Sequence, residues 1–164
     1  MTLTEKKPCM YLQNGLRHMS RVAVFDVDGT LMNIDHRRKF VEGDKKDWKS
    51  FFDFMEFDTI NDKVFHMAHA LRSDNFQIVI MSGRNERHRK ITEKQLAFGK
   101  LDYDILIMRP DDNYDPDYVF KQEMLDLLIA DDKKPWVVFD DRPSVVKMWR
   151  DNNITCFDVG GWNE

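Results

Sequence analysis

Two carboxylates stand two residues apart in Asp26-Val27-Asp28-Gly29-Thr30, at the end of the apolar run Val22–Asp26. A carboxylate at a strand end can attack phosphorus in line, and covalent capture of the phosphoryl group divides a very slow hydrolysis into two steps. The second carboxylate is close enough to manage the proton of the leaving group. Gly29 lets the chain turn sharply with no side chain over the substrate, and Thr30 completes the motif as a candidate substrate contact. Asp-Gly alone is a common turn signal, so the assignment depends on what the rest of the chain supplies.

The rest supplies more acid and two kinds of counter-charge. Asp140-Asp141 follows another apolar run, Trp136–Asp140. Two unit charges about 4 Å apart repel by roughly 4 kcal/mol at an effective dielectric near 20. With Asp26 and Asp28 nearby that repulsion multiplies, and a magnesium ion with oxygen ligands resolves it. Asp26, Asp28, Asp140 and Asp141 are therefore the candidate metal residues. Which of Asp140 and Asp141 binds directly stays open, because Asp141 also reads as a helix N-cap. Ser82-Gly83-Arg84 follows Gln77–Met81. Its hydroxyl and backbone N–H groups suit phosphoryl oxygens at a strand-to-helix turn. Asp117 and Lys121 lie one helical turn apart, so Lys121 can neutralise a phosphate while Asp117 orients it.

Strands and helices must bring these groups together. Val22–Asp26, Gln77–Met81, Ile105–Met108, Trp136–Asp140 and Thr155–Val159 are short apolar runs suited to buried parallel strands. Helical spacing separates them, in Val64, Ala68 and Leu71 and again in Phe120, Met124, Leu127 and Leu128. Shorter helices are expected over Ile91–Phe98 and Val145–Trp149. The alternation predicts an α/β fold: an open, mostly parallel five-stranded Rossmann-like sheet with helices on both faces. Ligands in such sheets bind beyond the carboxyl ends of the strands. Residues 33–58 break the rhythm, with basic residues Arg37, Arg38, Lys39, Lys45 and Lys46 and an aromatic cluster of Trp48, Phe51, Phe52, Phe54 and Phe57. We read them as a small flap with one short helix inside a single domain, 21–164, preceded by a lead-in of residues 1–20.

Composition narrows the class. The chain has 164 residues, a formal net charge of -4, 42% hydrophobic and 33% charged residues, and two cysteines, Cys9 and Cys156. These features fit a globular protein of one domain and exclude a basic nucleic-acid coat or a disulfide framework. No apolar run is long enough to cross a bilayer, and residues 1–20 lack a signal-peptide core, so a cytoplasmic protein without a membrane partner is expected. The five histidines show no metal-ligand spacing, Arg87–Lys90 reads as a solvated helix face, and Met67, Met81, Met108, Met124 and Met148 are expected in the core.

The motifs in this order resemble the haloacid dehalogenase superfamily of phosphotransferases. Asp26–Thr30 matches its first motif, Ser82 its second, Lys121 its third and Asp140-Asp141 its fourth. A closer resemblance is to the phosphatase domain of phage-type polynucleotide kinase/3′-phosphatase, carried by Asp58–Asn61, Ser82-Gly83-Arg84, Asp140-Asp141-Arg142 and Met148-Trp149-Arg150. Arg37, Arg84 and Asp117 stand where that family uses two arginines and an aspartate. The resemblance implies a magnesium-dependent polynucleotide 3′-phosphatase acting on DNA or RNA ends. Asp26 would be the nucleophile and Asp28 the acid and base. Ser82 and Lys121 would hold the phosphoryl group, and Arg37 and Arg84 would add charge. Magnesium would sit on Asp26, the backbone carbonyl of Asp28 and the Asp140/Asp141 pair. No GxxxxGK[ST] loop occurs, so no 5′-kinase activity and no nucleoside triphosphate are expected, and a kinase or ligase would be a separate partner. The fourth motif also resembles that of 5′(3′)-deoxyribonucleotidases, the alternative reading. A non-catalytic binding module would need no such acid–base and metal set.

Overall fold

The computed structural model describes residues 21–161. The lead-in of residues 1–20 lies outside them. Five parallel strands form the main sheet: β1 (Val22–Phe25), β4 (Gln77–Asn85), β5 (Ile105–Arg109), β6 (Pro135–Asp140) and β7 (Cys156–Asp158). Their spatial order is β5-β4-β1-β6-β7. The chain moves outward on one side of β1 and then crosses to the other, which opens a crevice at the carboxyl ends of the central strands.

Both faces of the sheet are covered, which is why the strands are apolar almost throughout. Ala23, Phe25, Ile78, Ile80, Val137 and Phe139 face a core completed by α3 (Asp62–Ser73) and α4 (Arg89–Phe98). Val22, Val24, Val79, Met81 and Val138 face the other, against α5 (Asp117–Ala130) and α6 (Pro143–Asp151). The sheet and helices agree with the expected fold class. Met81, Met108, Met124 and Met148 are in the core, but Met67 is 44% exposed and so does not pack there.

Two expectations need correction. β4 does not stop at Met81 but runs to Asn85, and its pairing with β5 shifts register between Ser82 and Asn85. Ser82-Gly83-Arg84 therefore sits in an irregular strand end rather than a strand-to-helix turn. The flap also holds more than one short helix. It contains the single-turn α1 (Asp35–Arg38), α2 (Trp48–Asp53) and a 3-10 turn over Phe54–Phe57. A two-stranded antiparallel ribbon, β2 (Met32–Asn33) with β3 (Thr59–Ile60), ties its two ends together. These pieces are too short for periodicity to reveal them.

Candidate active site

The edge of β1 sets the centre. Asp26 extends the sheet by donating its N–H to Phe139 O at 3.0 Å. The chain then reverses: Met32 N–H donates to Val27 O and Gly29 N–H to Met32 O, both at 2.8 Å. Gly29 has φ +84, and a Cβ there would lie 1.9 Å from Asp141 Oδ2. Glycine is thus required twice, for backbone conformation and for space.

Two clusters of buried charge flank this turn. In the first, Lys121 Nζ from α5 lies 2.7 Å from Asp26 Oδ1, 2.8 Å from Asp140 Oδ2 and 3.6 Å from Asp117 Oδ2. Burial would lower the Lys121 pKa, but Asp140, Asp26 and Asp117 hold it well above the usual value. Asp140 also accepts from Trp149 Nε1 at 3.4 Å and from the backbone N–H groups of Asp141 and Arg142. Arg109, the last residue of β5, donates to Gly83 O at 3.0 Å and to Asp117 Oδ1 at 2.9 Å. Burial would raise the Asp117 pKa, but Lys121, Arg142 and Arg109 keep it below the ordinary range.

In the second cluster Asp28 Oδ1 receives Arg37 Nη2 at 2.6 Å and Arg84 Nε and Nη2 at 2.9 and 2.6 Å. Asp58, at the end of the flap, accepts from both arginines, at 2.6 Å twice from Arg37 and at 2.8 Å from Arg84. The remaining Arg84 nitrogen donates to Thr92 Oγ1 and Gln95 Oε1. Burial alone would raise the Asp28 pKa, but Arg84 and Arg37 outweigh it and hold the carboxyl well below the carboxylate range. Asp58 itself is pushed up by burial, against the pull of Arg37.

Asp26, Asp140 and Asp141 present oxygen atoms within 4.8 Å of one another, all buried. The Asp28 carboxylate is not among them, and its assignment to a metal rests on its backbone carbonyl. Asp141 is not the α6 cap, which is Arg142 without a side-chain cap bond. Asp141 Oδ1 accepts from Thr30 Oγ1 at 3.3 Å, whereas the buried Oδ2 has no hydrogen-bond partner among the described residues. Arg38 Nη1 is 3.9 Å from it. Burial, then the charges of Asp26 and Asp140, push Asp141 up to about 9, and burial likewise raises Asp26 despite Lys121. A buried all-oxygen donor set with an orphaned carboxylate oxygen fits a hard divalent cation.

The structure thus brings together Asp26, Asp28, Thr30, Arg37, Ser82, Gly83, Arg84, Asp117, Lys121, Asp140 and Asp141. Ser82 is buried and its Oγ accepts from Arg84 N–H at 3.2 Å. A Cβ on Gly83 would lie 2.4 Å from Asp117 Oδ1. Of the basic residues of the flap, Arg37 and Arg38 are buried, Arg37 fully. Arg87 is exposed, as expected of the Arg87–Lys90 face, and it also lines the site cavity. His88 stacks on Phe52 at 4.8 Å. Sequence reasoning missed the bridging part of Asp58, and it missed Arg109. An arginine directly after an apolar strand, at the edge where ligands bind, was an available signal for Arg109.

The cavity beside these clusters has a volume of about 550 Å³ and is bounded by α2 of the flap, the β5–α5 loop and the strand ends. Residues 20–161 match the model of the polynucleotide kinase PNKP phosphatase domain family. The chain belongs to that family. It is a haloacid dehalogenase-type phosphatase domain, a phosphoric monoester hydrolase by class. A protein of Autographa californica nuclear polyhedrosis virus, assigned as a bifunctional polynucleotide kinase/RNA ligase, is 30% identical over 146 residues, 85% of this chain and 19% of the viral protein. A chain in the solved Pnkp1/Rnl/Hen1 complex superposes with TM-score 0.72 at 25% identity, over 90% of this chain and 48% of that one. A protein assigned as a β-phosphoglucomutase from Thermotoga maritima shares the fold, with TM-score 0.62 at 18% identity over 88% of each chain. The chain therefore spans about a fifth and about half of the first two relatives. No described helix is long and apolar enough to cross a membrane.

Proposed function

We propose that this domain removes the 3′-phosphate from DNA or RNA ends through an aspartyl-phosphate on Asp26, with magnesium as cofactor. The observation that carries the reading is the contrast between two carboxylates two residues apart: Asp26 is held by Lys121, and Asp28 by two arginines. One is set to bond phosphorus and the other to handle protons.

Lys121 engages Asp26 Oδ1, so Oδ2 is the oxygen offered to phosphorus. As the Asp26–phosphorus bond forms, the bond from phosphorus to the sugar oxygen breaks, and that oxygen takes a proton from Asp28. Asp28 is ionised while Arg37 and Arg84 hold it. It takes a proton from solvent when the incoming phosphoryl oxygens draw the guanidinium groups away, and passes that proton to the sugar oxygen as the ester bond breaks. In the second step Asp28 removes a proton from water, the water oxygen bonds phosphorus, and the Asp26–phosphorus bond breaks to release phosphate. Ser82 and Lys121 hold the equatorial oxygens. Asp26, Asp141 and the Asp28 carbonyl would hold the cation, with Asp140 turned to Lys121 instead. Its chemistry there is neutralisation of phosphoryl charge.

The relatives' kinase, ligase and RNA repair-complex contexts support a nucleic-acid end as substrate and a kinase or ligase as partner. A substrate panel tests the reading: 3′-phosphate and 5′-phosphate oligonucleotides, nucleoside monophosphates and a sugar phosphate. The 3′-phosphate oligonucleotide is expected to give the highest kcat/KM. A higher value for nucleoside monophosphates would establish a nucleotidase instead.

A further inference from the structure

The cavity extends well past the groups that handle phosphate. Its outer part is aromatic on the flap side, where Trp48, Phe51 and Phe52 line it. These rings support one another: Trp48 lies 6.2 Å from Phe52 in a stacked arrangement and 5.8 Å from Phe51 edge-on. Phe52 is backed by the His88 ring at 4.8 Å. The β5–α5 loop lines the cavity too and contributes one ring, Tyr114, which is 88% exposed.

That loop is pinned on either side of Tyr114. Arg109 Nη1 donates to Asn113 Oδ1 at 2.9 Å and to Asp115 O at 2.6 Å. Asn113 accepts from Asp115 N–H at 3.1 Å, and its own N–H donates to Pro110 O at 3.1 Å. Among the described residues the Tyr114 side chain makes no hydrogen bond and no ring contact. The backbone that carries this ring is held in place beside a cavity walled by other rings, so stacking a flat ligand on it orders the Tyr114 side chain but not the loop.

Charge does not supply an alternative grip. Arg84 faces Asp28, Arg109 faces Asp117 at 2.9 Å, Arg87 faces Asp111 at 3.3 Å, and Arg142, the other arginine of the lining, acts on the same Asp117. The side-chain amides suited to reading a base edge are engaged as well, since Asn85 Nδ2 donates to Pro110 O and Asn113 closes the loop. We propose that Tyr114 and the Trp48–Phe52 wall form a stacking cleft for the base of the 3′-terminal nucleoside, accepting any base. This rests on the 3′-phosphate reading above and adds a binding contact to it.

The test compares a 3′-phosphorylated oligonucleotide with the same oligonucleotide carrying a tetrahydrofuran abasic unit at its 3′ end. Wild-type protein is expected to favour the base-bearing substrate by about 5- to 150-fold in kcat/KM, expressed in KM, the range of single base–aromatic stacks. Tyr114→Ala should erase most of that preference and Tyr114→Phe should keep it, because the ring face rather than the hydroxyl does the binding. The preference should hold as salt rises, since stacking is not counter-ion release. Equal wild-type rates on the two substrates would overturn the cleft. So would a Tyr114→Ala loss equal on both, which would mark a loop defect. Wild-type protein that turned over neither oligonucleotide would instead defeat the 3′-phosphate reading itself.

Discussion

Lys121 Nζ stands 2.7 Å from Asp26 Oδ1 with both side chains buried. The two residues do not contribute equally to stability. Lys121 is the cation shared by Asp26 and Asp140, whereas Asp117 also faces Arg109 at 2.9 Å. Lys121→Met removes the cation between Asp26 and Asp140, and breaking a buried pair in this way costs about 3–5 kcal/mol. We expect a lowered urea midpoint together with lost turnover. Asp26→Asn removes a charge that burial already opposes, so it should unfold within about 1 kcal/mol of the wild type while turning over no substrate. Retained turnover in Asp26→Asn would refute the covalent route.

The acidic triad links metal to pH. The folded-state pKa of Asp141 is raised, to about 9, by burial and then by Asp26 and Asp140. A raised carboxyl contributes stability fully below its unfolded value, about 3.9, and that contribution is lost as pH rises through the folded value. Without cation the site therefore grows less favourable between those limits. A cation must displace that proton, so its binding strengthens as pH rises. Magnesium should raise Tm in a concentration-dependent way, by more at pH 8.5 than at pH 6.5, and chelator should abolish turnover. A Tm unaffected by magnesium at either pH would count against the site.

The sequence and the structure part company in an instructive place. The strands, the helices over Asp62–Ser73 and Asp117–Ala130, and the motif residues were legible because hydrophobic period and strand-end position are local properties. The interior of the flap was not. Its helices are four and six residues long, and they are held by Arg37, Asp58 and the β2–β3 ribbon rather than by their own pattern. Asp58 is legible only within the stretch Asp58–Asn61, since nothing local says that it joins arginines 21 and 26 residues away. The same holds for Tyr114, whose meaning lies in a cavity assembled from three parts of the chain.

Asp58 gives a prediction of its own. It binds Arg37 and Arg84 at once, and so fixes the two guanidinium groups that hold Asp28. Asp58→Asn keeps the shape but removes the charge from buried hydrogen bonds, each worth about 1.5–3 kcal/mol when a charged group is involved. Lower stability is expected, with a loss in kcat larger than the change in KM. Unchanged kcat would show that the arginines are positioned without it.

Acid should separate Asp28 from its neighbours. Its folded pKa is depressed, because Arg84 and Arg37 overcome burial. A depressed carboxyl contributes stability above its unfolded value, about 3.9, which is lost as pH falls through the folded value. Wild-type protein should exceed Asp28→Asn in urea midpoint at pH 6, and the difference should shrink steadily below pH 4. A difference independent of pH would mean that Asp28 stabilises by shape and not by charge.

Three glycines provide the most local test. Gly29 and Gly43 both have positive φ, +84 and +82, so alanine is strained at each. Around Gly43 there is open space within 4 Å, and Gly43→Ala should cost only the conformational penalty, about 1–2 kcal/mol, with turnover intact. At Gly29 the added Cβ would fall 1.9 Å from Asp141 Oδ2, the orphaned oxygen of the triad. Either the turn bearing Asp28 or the Asp141 carboxylate must move. Gly29→Ala should therefore lose the magnesium-dependent Tm gain as well as turnover. Gly83→Ala meets Asp117 at 2.4 Å without the φ penalty, so it should impair turnover while keeping the magnesium response. If Gly29→Ala kept that response, Asp141 would not be the carboxylate that holds the cation.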